Sequence, residues 1–165
     1  MQQESIGETV ERLHRLTERP NSLAIRARIA LCSECIAGVF EQAEDWAKSA
    51  AIAKGLTADS ALRAEDMLSG PVVVARQLQL TIQTLSALQT AKTPTLPGQV
   101  YRLSSQQLCV PVFPTNGYFD SLTFMGLRGT VRMQEGIGPA EIHGDLPERV
   151  TEGRISGISA VLGAG

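Results

Sequence analysis

The sequence predicts an α/β fold, reduced to α+β in the 165 residues in hand, and three observations support this. Apolar residues recur at helical spacing through the first half of the chain. A proline- and glycine-containing connector then gives way to short alternating segments typical of strands. Finally, the apolar run 158–162 leads into Gly163 and Gly165, as a buried parallel strand leads into a tight turn. We therefore expect 155–165 to be the first strand of an incomplete dinucleotide-binding domain.

Composition excludes several classes of protein. Hydrophobic residues make up 43% and charged residues 19% of the chain, as in a globular domain rather than a disordered one. The net charge of −2 gives no basic footprint for nucleic acid or an anionic membrane, and no apolar run approaches the roughly 20 residues of a membrane span. The N-terminus lacks the pattern of a signal peptide. With three cysteines and no secretion signal, a reducing, cytoplasmic location is the expectation.

Residues 1–92 are predicted to be a helical region. The first helix places its apolar residues on one face and ends at Pro20. A long second helix is expected over 23–54, with Gly55 at its C-terminal cap, and its length allows a kink near Gly38. The apolar face of the first helix consists of Ile6, Val10, Leu13 and Thr17.

Two further helices complete this region. Ser60 is expected to cap a short helix that Ser69 and Gly70 terminate. Pro71 then suits the first turn of a fourth helix, which extends to about Ala91. We expect the four helices to form an antiparallel layer whose apolar residues make a core rather than a site.

Residues 93–154 are predicted to form a β-rich region of the oligomerisation type. Strands are expected over 99–103 and 108–113, and Pro111 restricts the second of them to a sheet edge or a bulge. Val100, Leu108, Val110 and Val112 give this hairpin an apolar face that needs a cover.

The remainder of this region is less regular. Residues 118–124 suit either a short helix or an irregular loop, and residues 135–154 are polar and rich in turns. A third strand is predicted over 127–134 from its alternation of apolar and polar residues. Its buried face would carry Leu127, Gly129, Val131 and Met133, with Arg128, Thr130, Arg132 and Gln134 on the other face.

The cysteines are candidates for chemistry, but the sequence favours structural roles. Cys32 and Cys35 form a CxxC motif within the second helix, and no second CxxC follows to complete a metal site. Both are therefore predicted to be small buried residues. Cys109 lies in a strand with no His or Lys close in sequence to activate it, so it is not predicted to be a nucleophile.

The other polar candidates also favour a surface or structural role. His14 falls on the exposed face of the first helix, where a solvated side chain is the simpler interpretation. Glu141, His143 and Asp145 could supply a metal ligand set or an acid–base pair, but a surface loop is favoured. Arg128 and Arg132 could bind an anion, although interface or surface pairing is favoured. No metal site is predicted.

Four strings along the chain are distinctive in their order: Leu96-Pro-Gly98, Val110-Pro-Val-Phe-Pro114, Phe124-Met-Gly-Leu-Arg128 with Met133-Gln134, and Ala160-Val-Leu-Gly-Ala-Gly165. They follow a long helical pair and accompany a Pro-Gly connector, a short hairpin, a strand and an apolar strand into a glycine turn. This order of elements and strings resembles the front of an aldehyde dehydrogenase of a bacterial branch of that superfamily. The similarity extends over nearly the whole chain but only about the first third of a family member.

This resemblance implies an NAD- or NADP-dependent oxidation of an aldehyde to an acid or an acyl thioester through a cysteine hemithioacetal. It also implies a homo-oligomeric parent protein, with the 99–113 hairpin in a sheet at the subunit interface. The turn that faces the dinucleotide would be Leu162, Gly163, Ala164 and Gly165, with Ala-Gly in place of the family's usual Pro-Trp. The family's asparagine, cysteine nucleophile and glutamate base would follow Gly165, so this portion would be inactive alone.

Two alternatives remain open at this stage. The chain could be a non-enzymatic, largely helical interaction protein with a β appendage. It could also be a complete small nucleotide-binding module that ends in a glycine turn, although a lone GxG is a weak signal. Coding sequence beyond Gly165 that begins with an asparagine and a helix would favour the aldehyde dehydrogenase hypothesis.

Overall fold

The computed structural model describes residues 5–17, 23–91, 93–115 and 117–152. These residues form a helix-rich α+β structure with one small antiparallel sheet, as the sequence predicts. The predicted strand and glycine turn at 155–165 lie outside the described residues. In chain order the elements are α1 (Ile6–Thr17), α2 (Ile25–Ala53), α3 (Arg63–Met67), a π-helical turn (Leu68–Val72), α4 (Val73–Ala91), β1 (Tyr101–Arg102), β2 (Leu108–Phe113), α5 (Tyr118–Thr123), β3 (Gly129–Arg132), a 3-10 turn (Pro139–Glu141) and α6 (Leu146–Thr151).

The helical core forms where α4 packs along α2. The buried residues of α2 recur every fourth position, so they form one stripe of small side chains that lets α4 approach closely. Leu85 and Leu88 of α4 are also buried. The buried stripe of α2 is Ala43, Ala47 and Ala51.

The second helix ends where the sequence predicts. Gly55 adopts a φ of 76°, a left-handed conformation that costs glycine little. The N–H of Leu56 donates to the carbonyl of Ala51, and the N–H of Gly55 donates to that of Ile52, both at 2.9 Å. This pattern of bonds is the Schellman motif, which satisfies the last carbonyls of a helix. Gly38 does not interrupt α2, which runs unbroken for 29 residues.

The predicted break between the third and fourth helices is wrong. The chain stays helical from Arg63 to Ala91 and passes through Ser69, Gly70 and Pro71 in a π-helical turn. Proline lacks an N–H and its ring collides with the preceding turn of an α-helix, and a widened turn relieves both problems.

Packing against α2 explains why this turn is retained. A Cβ atom on Gly70 would lie 3.2 Å from Cε2 of Trp46, so the glycine lets the indole ring rest against the helix backbone. Pro71 is itself buried in the same turn. Tertiary contact therefore overrides the local helix-breaking signal of Ser69-Gly70-Pro71.

The sheet has the order β1-β2-β3, with both pairs antiparallel. β2 occupies the predicted residues. Of the two alternatives that Pro111 allowed, the sheet edge is wrong because β2 is the central strand, whereas the bulge agrees with an irregular pairing to β3 between Pro111 and Phe113. The flanking strands are shorter than predicted, with two residues in β1 and four in β3.

The predicted burial of one face of the third strand is confirmed only in part. Of the residues expected on that face, Leu127 and Val131 are 60% and 47% exposed, whereas Gly129 and Met133 are half-buried. The alternation is present in the sequence, but the described residues cover its apolar face incompletely. By contrast, Leu108 and Val110 of β2 are each only 3% exposed, so part of the hairpin face is already covered within the chain.

The region after β3 contains a helix that the sequence analysis did not predict. Residues of the turn-rich segment form α6, which starts with Leu146 and the buried Pro147. Proline suits the first turn of a helix because its missing N–H would have no partner there. Arg28 of α2 donates a hydrogen bond to the carbonyl of Val150 at 3.1 Å, so α6 is tied to the helical layer. Within the described part of the chain, no helix has both the length and the apolar character needed to cross a membrane.

Candidate functional site

The cofactor-facing turn predicted from the sequence, Leu162 to Gly165, lies outside the described residues. The candidate site in the described chain is a groove at the junction of the helical layer and the sheet. Its volume is about 470 Å³, within the usual range of small-molecule pockets. The lining residues come from α4, the proline-rich connector and the end of β2: Leu80, Gln83, Thr84, Ala87, Thr95, Pro97, Val112 and Thr115.

The chemistry of this groove is neutral. Its polar groups are three threonine hydroxyls and one glutamine amide, and none of the described residues that line it is ionisable. A second depression of about 450 Å³ adjoins it and shares Pro97 and Thr115. The groove can accept or donate hydrogen bonds to an uncharged group, but its described lining offers no acid, base or nucleophile.

A buried carboxylate is bound to Thr115, one of the residues that line the groove. Asp120 of α5 is 1% exposed, and Arg76 of α4 donates to it in a fork. Nη2 lies 2.6 Å from Oδ1 and 2.8 Å from Oδ2, while Nε lies 3.0 Å from Oδ1. Such a two-point contact fixes the relative orientation of the two side chains and also pairs their charges. The helical layer and the segment after β2 are therefore held in one geometry.

Thr115 completes the set of donors to Asp120. Its backbone N–H donates to Oδ2 at 2.8 Å and its hydroxyl donates to the same oxygen at 2.6 Å. Burial raises the pKa of Asp120, but the bonds from Thr115 and then from Arg76 outweigh it, and the pKa is lowered below its ordinary value. The carboxylate is fully satisfied, so this cluster acts as a structural anchor rather than a proton donor or acceptor.

A second buried carboxylate lies at the far end of the helical layer. Asp66 of α3 is 6% exposed, and Nζ of Lys54 donates to its Oδ1 at 2.6 Å. This hydrogen bond raises the pKa of Lys54. Oδ2 of Asp66 is buried and has no hydrogen-bond partner among the described residues. A buried oxygen without a hydrogen-bond partner lowers the stability of the folded state, so Asp66 is a destabilising feature at this end of the layer.

The cysteines do not lie where the sequence analysis expected. Cys35 is exposed and Cys32 is half-buried, so the prediction that both are buried core residues is wrong for Cys35. Both positions precede the part of α2 that carries the buried alanine stripe. Cys109 of β2 is 4% exposed, which supports its structural interpretation.

The remaining candidates stay apart from the groove. His143 is half-buried in a small, largely apolar cavity that Leu88 and Leu146 help to line. Glu141 is exposed, and its carboxylate accepts a bond from the N–H of Gly138 at 2.8 Å, which caps the local turn. Asp145 is exposed beside α6. Among the described residues no three potential ligands cluster for a metal ion.

The two arginines of the third strand are both exposed. Arg132 lies at the end of β3 and Arg128 precedes the strand. His14, as expected, is exposed on α1. None of these three residues contributes to the groove lining.

Comparison of this chain with protein-family models, with curated proteins and with solved structures finds no match. The assignment of function therefore rests on the residues themselves and on their arrangement.

Sequence reasoning missed the residues that organise the candidate site. Nothing in the sequence distinguishes Arg76 from the other polar residues of the fourth helix. Asp120 lies in the segment 118–124, for which the sequence allowed either a short helix or a loop. The two are 44 residues apart, and no local spacing relates them. The one available signal was Thr115, four residues after the predicted Pro111 bulge and inside a predicted turn, where hydroxyl side chains often bond nearby carboxylates.

Proposed function

We propose that this chain is the N-terminal portion of a protein that resembles an NAD(P)-dependent aldehyde dehydrogenase. In this proposal the parent protein oxidises an aldehyde to an acid or an acyl thioester in the cytoplasm, and this 165-residue chain contributes structure rather than catalysis. The observation that carries the proposal is the order of elements: a helical layer, a proline-glycine connector, and a three-stranded antiparallel sheet whose apolar face is only partly covered. The resemblance expects this order.

Exposed apolar side chains support a role as one part of a larger assembly. Tyr118, Leu122, Met125 and Leu127 lie close together in sequence around α5 and are 60% to 90% exposed. A soluble monomer rarely leaves a contiguous patch of this kind in water. In the proposal these residues are buried in the full-length protein, because the remainder of the parent protein or another subunit would pack on them.

The residues of this chain have a limited chemical role in the proposal. Gly163 and Gly165 lack Cβ atoms, so the backbone of the 162–165 turn can approach a dinucleotide closely. NAD or NADP, when bound, would accept a hydride from the substrate. The described residues hold the sheet in position relative to the helices through Arg76 and Asp120. The nucleophile, the oxyanion donor and the base would come from sequence after Gly165.

The sharpest test is the coding sequence beyond Gly165. We expect the reading frame to continue into an asparagine and a helix, and later into a cysteine and a glutamate that complete the catalytic set. A full-length parent in which that cysteine is replaced by serine should lose aldehyde-dependent NAD(P)H formation. A natural stop codon directly after Gly165 would contradict the proposal.

The purified 165-residue chain supplies a second test. Because the residues expected for catalysis are absent from it, the chain alone should not reduce NAD or NADP with any aldehyde. Turnover by this chain that disappears on Cys109→Ser would overturn the division of roles proposed here.

A helical interaction protein is the second candidate function. Large apolar side chains on the helices favour it, since Ile6 of α1 is 85% exposed and Phe40 of α2 is 65% exposed. A stop codon after Gly165, together with a partner that buries these two residues, would favour this candidate. Dinucleotide binding by the 165-residue chain alone would instead favour a complete small nucleotide-binding module.

A further inference from the structure

Two free thiols lie together on the surface of the longest helix. Cys32 and Cys35 are three positions apart on α2, with Cys35 exposed and Cys32 half-buried. The helix is regular around them, and the hydroxyl of Ser33 donates to the carbonyl of Ile29 at 3.0 Å. Residues three apart on an α-helix face the same side, with Cβ atoms about 5–6 Å apart. The two sulfurs can therefore converge on one point in solvent.

This separation argues against a disulfide. A disulfide needs Cβ atoms about 3.5–4.5 Å apart, so forming one here would draw the two side chains together and distort the helix locally. A metal ion between the two sulfurs allows the Cβ atoms to stay further apart than a disulfide does. Each sulfur then bonds to the metal at about 2.3 Å instead of bonding to the other sulfur. The geometry of the intact helix thus favours a bridging ion over an S–S bond.

We propose that Cys32 and Cys35 form a binding site for one monovalent copper ion. Thiolates are soft ligands that select Cu(I), and a two-sulfur set can satisfy it without further protein ligands. Zinc is a poorer fit, because structural zinc takes four ligands and no group of three candidate ligands occurs in the described chain. Each cysteine gives up its proton, so binding one ion releases two protons and changes no oxidation state.

Exposure gives the site an entry path. Cys35 meets the ion first because its side chain is exposed, and the half-buried Cys32 closes the chelate from the side that faces the protein. Cys109 is buried in β2 and belongs to a different element, so it provides an internal control. This site is independent of the function proposed above.

The test is an anaerobic titration of the purified chain with Cu(I) in the presence of a colorimetric chelator of known affinity. Wild type should bind one ion per chain, and Cys109→Ser should bind the same amount with the same affinity. Cys32→Ser and Cys35→Ser should each weaken binding about 10²–10⁴-fold, because each removes the intramolecular second ligand. Silver(I), which undergoes no redox change, should compete with Cu(I) for the same site.

Circular dichroism of each variant before titration separates loss of the site from loss of the helix. Helix content should be unchanged, since serine replaces a half-buried or exposed thiol. Binding that survives either single substitution would overturn the proposal. So would a ratio of one ion to two chains, which would place the site between molecules, or the absence of binding in wild type.

Discussion

The guanidinium of Arg76 and the carboxylate of Asp120 join α4 to α5 through a fork of three hydrogen bonds between 2.6 and 3.0 Å. Asp120 is almost completely buried, while Arg76 keeps about a quarter of its side chain exposed at 28%. The Arg76 guanidinium also lies over the Phe119 ring, 5.8 Å from its centroid. The Arg76 side chain thus pairs with the carboxylate of Asp120 and contacts the ring of Phe119, both in the short helix between β2 and β3.

Arg76→Met should destabilise the chain by about 3 kcal/mol, because it leaves a buried carboxylate without its cation. Arg76→Lys should cost less but remain destabilising, since lysine keeps the charge and loses the fork. Urea unfolding followed by circular dichroism measures both changes. The matched control is Arg132→Met, which replaces an exposed arginine and should alter stability by no more than about 0.5 kcal/mol. Equal effects at positions 76 and 132 would show that the fork contributes nothing.

Acid should remove the contribution of Asp120 to stability. Its pKa is lowered in the folded state, so the unfolded chain takes up a proton at a higher pH than the folded chain does. The stabilisation is therefore complete above the unfolded pKa, close to 3.8, and is lost as pH falls through the lower folded value. Wild type should lose more stability than Asp120→Asn between about pH 5 and about pH 2. Parallel curves for the two proteins over that range would contradict this assignment.

Gly70→Ala tests the contact with Trp46. In most helices this change is stabilising by about 1 kcal/mol, and Gly38→Ala should show that gain because no atom lies within 4 Å of its added Cβ. At Gly70 the new methyl group would meet the indole ring at 3.2 Å, and we expect a net loss of about 1 kcal/mol. In a Trp46→Leu background the same substitution should become neutral or stabilising. A gain at Gly70 in the wild-type background would mean that the ring shifts freely.

Assembly is predicted to involve the exposed side of the sheet. Only part of the apolar hairpin face can contact another subunit. Val110 is already buried within the chain, while Val112 and Val131 are 41% and 47% exposed. In the full-length parent, Val131→Glu should therefore weaken a homo-oligomer without unfolding the subunit. Thr130→Glu is the matched control, because it places the same charge on the neighbouring exposed residue of β3. Light scattering gives the mass of each variant, and an unchanged mass for Val131→Glu would place the interface elsewhere.

The sequence by itself determined the elements whose cause is local. The end of α2 follows from Gly55, which adopts the left-handed conformation that closes a helix. The position of the bulge follows from Pro111, which cannot donate to a neighbouring strand. The apolar spacing predicts both α1 and α2, and the predicted bounds of α2, 23–54, agree with Ile25–Ala53 within two residues at each end. In each case the determining atoms lie within one turn or one strand.

Tertiary structure decided everything that depends on residues far apart in the chain. The local signals at Ser69-Gly70-Pro71 predict a break, yet packing against Trp46 keeps the chain helical in a wider turn. The alternation in the third strand predicts a buried face, but Leu127 and Val131 stay exposed because the described residues cover that face only in part. Asp120 and Arg76 carry no sequence signal, because a buried carboxylate acquires its cation only when two distant helices meet. Neighbouring residues determine local conformation, whereas burial and charge pairing depend on which surfaces the fold brings together.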